Sequence, residues 1–389
     1  MLFEFMTAQR IIFGPGTISQ AGSLAASMGK RALVIVGSTD AAVASERAAP
    51  LLESLEIAGV AGIVYVVNSE PTIDTIRQGV GLAKDENCSL VIGFGGGSAM
   101  DTGKAVAALI TNPGNLTDYL EVVGPGKPIN HPPAPYIAIP TTAGTGAEVT
   151  RNAVIGVPDR QVKVSLRSPL MLPRLALVDP QLTYRLPASV TASTGMDALT
   201  QLIEPFVSNR YNPLTDALCR EGIRRAAHSL PVAYLEGENL EARENMSLAS
   251  LFSGLALANA KLGAVHGFAG VLGGMFPAPH GAICARLLPV VMDVNVRVLQ
   301  DRGADGNLVQ RYDEVARLLT GDRDATAIDG AAWVRDLCNK LQIPPLASYG
   351  LTPADFPIVI EQSAIASSMQ GNPVVLTPQE MVEILSRAL

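Results

Sequence analysis

The segment Ser89-Leu90-Val91-Ile92-Gly93-Phe94 runs directly into Gly95-Gly96-Gly97-Ser98-Ala99-Met100-Asp101-Thr102-Gly103-Lys104. A short apolar run without polar alternation suits a strand covered on both faces. The residues that follow suit a helix through Leu109. Glycines at such a turn let the backbone approach a ligand closely, and the helix N-terminus carries about half a positive charge. Gly95, Gly96, Gly97, Ser98 and Asp101 are therefore cofactor-binding candidates, with Ser98 expected to cap the helix and donate to a phosphate oxygen. The spacing is neither the G-x-G-x-x-G fingerprint nor a Walker loop, and a tight structural turn would use the same glycines.

The same alternation fills the first half of the chain. Strand-like runs cover 31–36, 62–67, 89–94 and 136–140, and helix-like stretches cover 42–58 and 72–86. Apolar strands separated by helices of this length predict βαβ units and a parallel sheet. From Pro187 onward the strand pattern fades. Helices are expected over 190–208, 213–230, 240–257, 281–298, 308–319, 330–341 and 378–387. The boundary is set at 184/185, giving an α/β domain (1–184) and an all-helical domain (185–389), which the family resemblance given below implies to be the dinucleotide-binding domain and the metal and substrate domain. A length of 389 residues suits two domains.

Composition narrows the partners. Lys plus Arg number 29 against 36 Asp plus Glu, a net charge of −7, so no overall basic footprint for nucleic acid exists. Apolar residues at 48% exclude a disordered chain, and no apolar run approaches the roughly 20 residues of a membrane span. Cys88, Cys219, Cys284 and Cys338 form no C-x-x-C pair and read as reduced thiols. The opening Met1-Leu2-Phe3-Glu4-Phe5-Met6 lacks a basic n-region, and a cytoplasmic location is expected.

Two further clusters suggest chemistry. Pro140-Thr141-Thr142-Ala143-Gly144-Thr145-Gly146 follows a strand at the end where an open α/β sheet places its ligand, making Thr141, Thr142 and Thr145 candidates. A Thr-rich helix cap would look the same. In the second half, Asp197 and Gln201 share one helix face at i and i+4, while His266 and His280 are each followed by glycine. One carboxylate and two imidazoles suit Fe(II) or Zn(II), with Gln201 as a weak fourth donor. Buried, hydrogen-bonded histidines and a capping Asp197 would also fit the spacing, which by itself does not select the metal. His131 and His228 read as surface residues.

Taken in order, these pieces resemble the iron-dependent (group III) alcohol dehydrogenase family, close to its alcohol dehydrogenase and maleylacetate reductase branches. The entry Arg10-Ile11-Ile12-Phe13-Gly14-Pro15-Gly16 and the late Gly371-Asn372-Pro373 join the match. The resemblance implies a dehydroquinate synthase-like fold. It joins a Rossmann-like N-terminal domain to a helical C-terminal domain, with cofactor and divalent metal in the cleft between them. It also implies Asp197, His266 and His280 as catalytic and metal-binding residues, Lys163 on the nicotinamide ribose, and Asn152 near the substrate. Two positions depart from the family. Gln201 stands where the third metal-binding histidine is found, and Gly270 where many relatives carry a second histidine near the substrate. Leu257 and Phe268 suggest a modest apolar substrate pocket.

The reading is an NAD(P)-dependent, metal-dependent oxidoreductase that interconverts a small alcohol and its aldehyde or ketone, working as a homodimer or higher oligomer. One alternative is maleylacetate-reductase-like reduction of an unsaturated keto acid, with Arg151 pairing a carboxylate. Another is a dehydroquinate-synthase-like lyase, which the sparse basic residues between Asp197 and His280 disfavour. A metal-free binding protein is a third. NAD-selective enzymes usually place an acid at the adenosine ribose. Here the strand ends in Gly37-Ser38-Thr39, with Asp40 further on. Gly37 and Ser38 are thus cofactor contacts compatible with NADP as well as NAD.

Overall fold

A computed structural model describes residues 2–38, 40–160, 162–184, 186–303 and 306–389. The chain divides into two compact units, Met6–Thr142 with Gly146–Thr183, and Met1–Phe5 with Ala143–Thr145 and Tyr184–Leu389. The main division thus falls between Thr183 and Tyr184, beside the expected 184/185, where Arg185 lies outside the described residues. Residues 143–145 depart from the expected assignment for a local reason. Ala143 packs in the helical core, and the Gly144 carbonyl accepts from Ser253 Oγ at 3.3 Å.

The α/β unit runs β1 (Ile11–Phe13), α1 (Ala21–Ala26), β2 (Arg31–Gly37), α2 (Ala41–Ile57), β3 (Ala61–Val67), α3 (Ile73–Asp85), β4 (Leu90–Gly95), α4 (Gly97–Thr111), α5 (Leu116–Tyr119), β5 (Tyr136–Pro140), β6 (Asn152–Val157), β7 (Val162–Arg167) and β8 (Leu175–Val178). Among the described residues, six strands form a sheet in the order β1-β8-β5-β4-β2-β3, every pair parallel. Strand periodicity sends alternate side chains to opposite faces. Leu33 and Ile35 enter one core with Ile76 and Val106, while Val34 and Val36 enter the other with Ala21 and Leu51. β1 and β8 carry too few residues for a pattern to show in sequence, and the antiparallel β6–β7 pair was not expected.

Strand order reverses between β2 and β4, so the carboxyl ends of these neighbours form the topological switch point. A side chain at Gly95 would have its Cβ 2.7 Å from Ala99 Cβ and 3.0 Å from the Gly37 nitrogen. Only glycine permits that approach.

Behind the turn, Lys104 is buried. Its Nζ binds Asp101 Oδ1 at 2.9 Å, Thr150 Oγ1 at 2.9 Å and the Asn152 carbonyl. Asp101 Oδ2 accepts from the Val154 N–H at 2.9 Å, which fastens β6 to α4.

The second unit comprises α6 (Ala188–Val207), α7 (Pro213–Leu235), α8 (Leu240–Asn259), α9 (Ala264–Met275), α10 (His280–Asp301), α11 (Gly306–Thr320), α12 (Ala327–Lys340), α13 (Phe356–Ala364) and α14 (Pro378–Ala388). α7 continues past Pro231, where the sequence suggested a stop at Leu230. Leu230 and Ala233 are buried on either side of the proline, and that packing outweighs the lost helical hydrogen bond. α9 was missed because Gly267, Gly270, Gly273 and Gly274 depress helix propensity. Burial of Val265, Phe268, Ala269 and Leu272 overrides it. Among the described residues no single helix is long and apolar enough to cross a membrane.

Glu148, buried beside Lys104 and Tyr136, generates a test of the α/β unit. Burial pushes its carboxyl from an ordinary 4.5 up to about 7, against the pull of Lys104. A raised carboxyl pKa gives stability that is complete below the unfolded value and lost as pH rises through about 7. Replacing Glu148 by Gln should remove that loss. Denaturant titrations should show the variant gaining about 2–3 kcal/mol on wild type between about pH 5 and about pH 8. A pH-independent difference would contradict the assignment.

Candidate metal centre and cofactor turn

The helical unit holds a polar cluster in an apolar interior. α6 is buried from Gly195 to Val207, yet carries Asp197, Gln201 and Glu204 at i, i+4 and i+7, one stripe of a single face. The first turn of α9 has no side chain to cap it, because its N-cap is Gly263. Distant groups serve instead. Asn372 Oδ1 accepts from the Ala264 N–H at 3.1 Å, and Glu204 Oε1 accepts from the Val265 N–H at 2.7 Å. Glu204 Oε2 accepts from His266 Nδ1 at 2.6 Å, which turns Nε2 toward Asp197.

His280 opens α10. The glycine after it has a steric reason. A Cβ at Gly281 would lie 2.1 Å from the Ser193 carbonyl oxygen and 3.3 Å from Asp197 Cβ, so α10 meets α6 backbone to backbone. Asp197 Oδ1 stands 3.4 Å from His266 Nε2 and 3.9 Å from His280 Nε2. The side chains of Asp197 and His266 are almost fully buried, whereas that of His280 is 35% exposed and marks the open side.

The cluster has a fourth member that the sequence reading took for an ordinary thiol. Cys284 Sγ lies 3.6 Å from His280 Nε2 and 3.8 Å from His266 Nε2. One donor atom from each of Asp197, His266, His280 and Cys284 falls within 4.8 Å of all the others. The available signal was the i, i+4 spacing of His280 and Cys284, the device already noted for Asp197 and Gln201.

These residues fit a divalent cation. Asp197 Oδ1 and Gln201 Oε1 are buried oxygens without a hydrogen-bond partner, and such atoms are costly unless something positive meets them. The Gln201 amide nitrogen is directed at the Gly144 carbonyl, 3.5 Å away. Burial opposes charge on His266, but Cys284, Asp197 and Glu204 outweigh it and hold the imidazole well above its ordinary range. Burial likewise opposes charge on Asp197, yet the two imidazoles keep it below the usual carboxylate range. The carboxylates and the thiol around His266 thus stabilise positive charge at that ring.

In the α/β unit, the N-cap of α4 is Gly96, with no side-chain cap. The expectation that Ser98 caps this helix is therefore corrected. Ser98 lies inside α4, and its carbonyl accepts from Thr102 Oγ1 at 2.8 Å. The uncapped N–H groups at Gly97 and Ser98 suit an anion. The Thr141 N–H donates to the Gly95 carbonyl at 2.9 Å, and Thr142 Oγ1 would lie 3.2 Å from a Cβ at Gly96, so the two predicted turns adjoin. Thr145 groups with the helical unit instead. Gly37 ends β2, and Ser38 Oγ donates to the Asp40 carbonyl at 2.8 Å. Thr39 lies outside the described residues.

Several of the remaining candidates have local partners. Asp101 uses both carboxylate oxygens on Lys104 and Val154, and Lys163 pairs with Glu70. The Asn152 carbonyl accepts from Lys104 Nζ. Leu257 is half-buried late in α8, and Gly270 is exposed with open space where a Cβ would stand. Arg151 Nη1 contacts Met6 Sδ at 3.5 Å. His131 and His228 are exposed.

A doubly wound unit with a glycine turn at its switch point, in one chain with a helical carboxylate–imidazole cluster, defines a dinucleotide-dependent oxidoreductase. The chain belongs to the iron-containing alcohol dehydrogenase family. A family model described as iron-containing alcohol dehydrogenase matches residues 8–180, and its C-terminal counterpart matches residues 191–389. The chain is similar to the 1,3-propanediol dehydrogenase of Klebsiella pneumoniae, at 34% identity over 100% of this chain and 99% of that one. It is similar to the NAD-dependent methanol dehydrogenase of Bacillus methanolicus, at 32% over 99% and 100%. A crystal structure of 1,3-propanediol oxidoreductase superposes with a TM-score of 0.90 at 32% identity, covering 100% of both chains.

Glu204 was absent from the sequence-derived site, and its position predicts a measurable role. Glu204→Gln should weaken metal binding about 10- to 100-fold, read by competition with a chromophoric chelator, because the His266 ring loses its carboxylate partner. Unchanged affinity would mean that Glu204 only starts α9.

Proposed function

We propose that this dehydrogenase interconverts a short-chain alcohol and its aldehyde or ketone, using a divalent ion held by Asp197, His266 and His280. The observation that carries the reading is the buried Asp197 Oδ1, which lacks a hydrogen-bond partner and faces two imidazole nitrogens. Relatives named for 1,3-propanediol and methanol support a short alcohol as substrate. When bound, the ion supplies Lewis acidity toward the substrate oxygen and the nicotinamide supplies the hydride acceptor or donor.

The chain's own groups provide placement. Glu204 fixes the His266 ring, and Gly281 lets α10 bring His280 against α6. The glycine turn and the N-terminus of α4 hold the cofactor phosphates. Gly270 offers no side chain to take the hydroxyl proton. Its exposed, open surroundings let water carry that proton away.

The test is purified protein with either reduced cofactor and a panel of short aldehydes, ketones and keto acids. Steady cofactor oxidation with aldehydes or ketones is expected. Turnover of keto acids alone, or product without net oxidation, would overturn the reading. His280→Ala should abolish turnover while the protein stays folded by circular dichroism.

Cofactor choice gives a separate expectation. Asp40 is the nearest acid beyond β2, and its carboxylate accepts from the Ala42 and Val43 N–H groups as the cap of α2. Engaged in this way, it presents weaker repulsion to a 2′-phosphate. NADPH should therefore be used at least as well as NADH. A kcat/KM favouring NADH by more than about tenfold, roughly 1.4 kcal/mol, would contradict this.

A further inference from the structure

Gln201 stands where the family resemblance places a histidine, so the helical cluster lacks one imidazole. The structure offers a replacement from another helix. Cys284 follows His280 by four residues on α10, so both side chains share one face. Its sulfur approaches both imidazole nitrogens, at 3.6 Å and 3.8 Å.

Those distances come close to the edges of a coordination shell. Bonds of about 2.0–2.1 Å to nitrogen or oxygen and about 2.3 Å to sulfur give tetrahedral edges of about 3.3–3.6 Å. The N···O separations here are 3.4 Å and 3.9 Å. Four of the six donor–donor separations are thus 3.4, 3.6, 3.8 and 3.9 Å, and all six lie within 4.8 Å. A second observation is independent of the thiol. Asp197 Oδ1, on a side chain 3% exposed, faces the same point without a hydrogen-bond partner. Another buried thiol in this unit behaves differently, since Cys338 Sγ donates to the Ala285 carbonyl at 3.1 Å.

We propose that Cys284 Sγ is the fourth protein ligand of the metal site, completing a set of one carboxylate, two imidazoles and one thiolate. The inference rests on the metal reading above and adds the identity of a ligand. As the sulfur–metal bond forms, the thiol proton passes to solvent. A thiolate is a softer and stronger donor than the neutral amide of Gln201, so the set favours Zn(II) over Fe(II). Gln201 then lies beside the ion without being needed to hold it.

Zinc K-edge X-ray absorption on the zinc-loaded, full-length protein tests the assignment. The wild type should show one sulfur scatterer at about 2.3 Å. Cys284→Ser should lose that scatterer, and Gln201→Ala should keep it. The cobalt-substituted wild type should show a thiolate-to-cobalt charge-transfer band in the near ultraviolet, and Cys284→Ser should lack it. The wild-type spectra stand even if a variant folds poorly. Stoichiometric zinc with nitrogen and oxygen neighbours alone, or a sulfur that persists in Cys284→Ser, would overturn the Cys284 assignment and leave the metal site intact. A wild type that retains no zinc, iron or cobalt would overturn the metal reading beneath it.

Discussion

A carboxylate buried on α6 sets the terms for the helical unit. Taking an ionised Asp out of water costs several kcal/mol unless opposite charge and hydrogen bonds compensate. The helix around Asp197 is buried and carries no cation, so the opposite charge must arrive from other elements. α9 brings His266 and α10 brings His280, and each approach needs a residue without a side chain. Gly281 allows α10 onto the α6 backbone. Gly263, where a Cβ would meet Glu204 Oε1 at 2.8 Å, lets α9 begin against α6. Glu204 and Asn372 then supply the cap that glycine cannot. Fold and site are therefore one packing problem here.

The α/β unit solves the opposite electrostatic problem. Its switch point presents backbone N–H groups at the start of α4, which suit the negative phosphates of a dinucleotide. The charged side chains behind that turn face inward. Lys104 ties Asp101, Thr150 and Asn152 together and anchors β6 to α4. One unit offers backbone N–H groups suited to anions, while the other offers side-chain donors suited to a cation. A dehydrogenase using both a nicotinamide dinucleotide and a divalent ion needs both kinds of site.

Helical spacing serves twice in the carboxylate–imidazole cluster. Asp197 and Gln201 are one turn apart on α6, and His280 and Cys284 are one turn apart on α10. Either helix can thus supply two donors to one point. A histidine missing from the first pair can be balanced by sulfur in the second without moving the backbone.

Much of this was legible in the sequence, for stateable reasons. Apolar strands alternating with helices force a parallel sheet, so β2 to β5 and the glycine turn could be read from local pattern. Asp197, His266 and His280 could be named because few residue types bind metals and the chain has four histidines. What the sequence left open depended on contacts between distant segments. α9 exists because packing overcomes four glycines, and the cap of α4 falls at Gly96 because the turn closes earlier than Ser98. That Asp101 also fastens β6 to α4, through Lys104 and the Val154 N–H, could not be read from its place in the glycine turn. Helical spacing puts Glu204 in line with Asp197 and Cys284 in line with His280, but what each of them meets is decided only where α6, α9 and α10 converge. Local chemistry is written along the chain, but whether a carboxylate or a thiol is a partner, an anchor or a ligand is decided by which distant backbone can approach it.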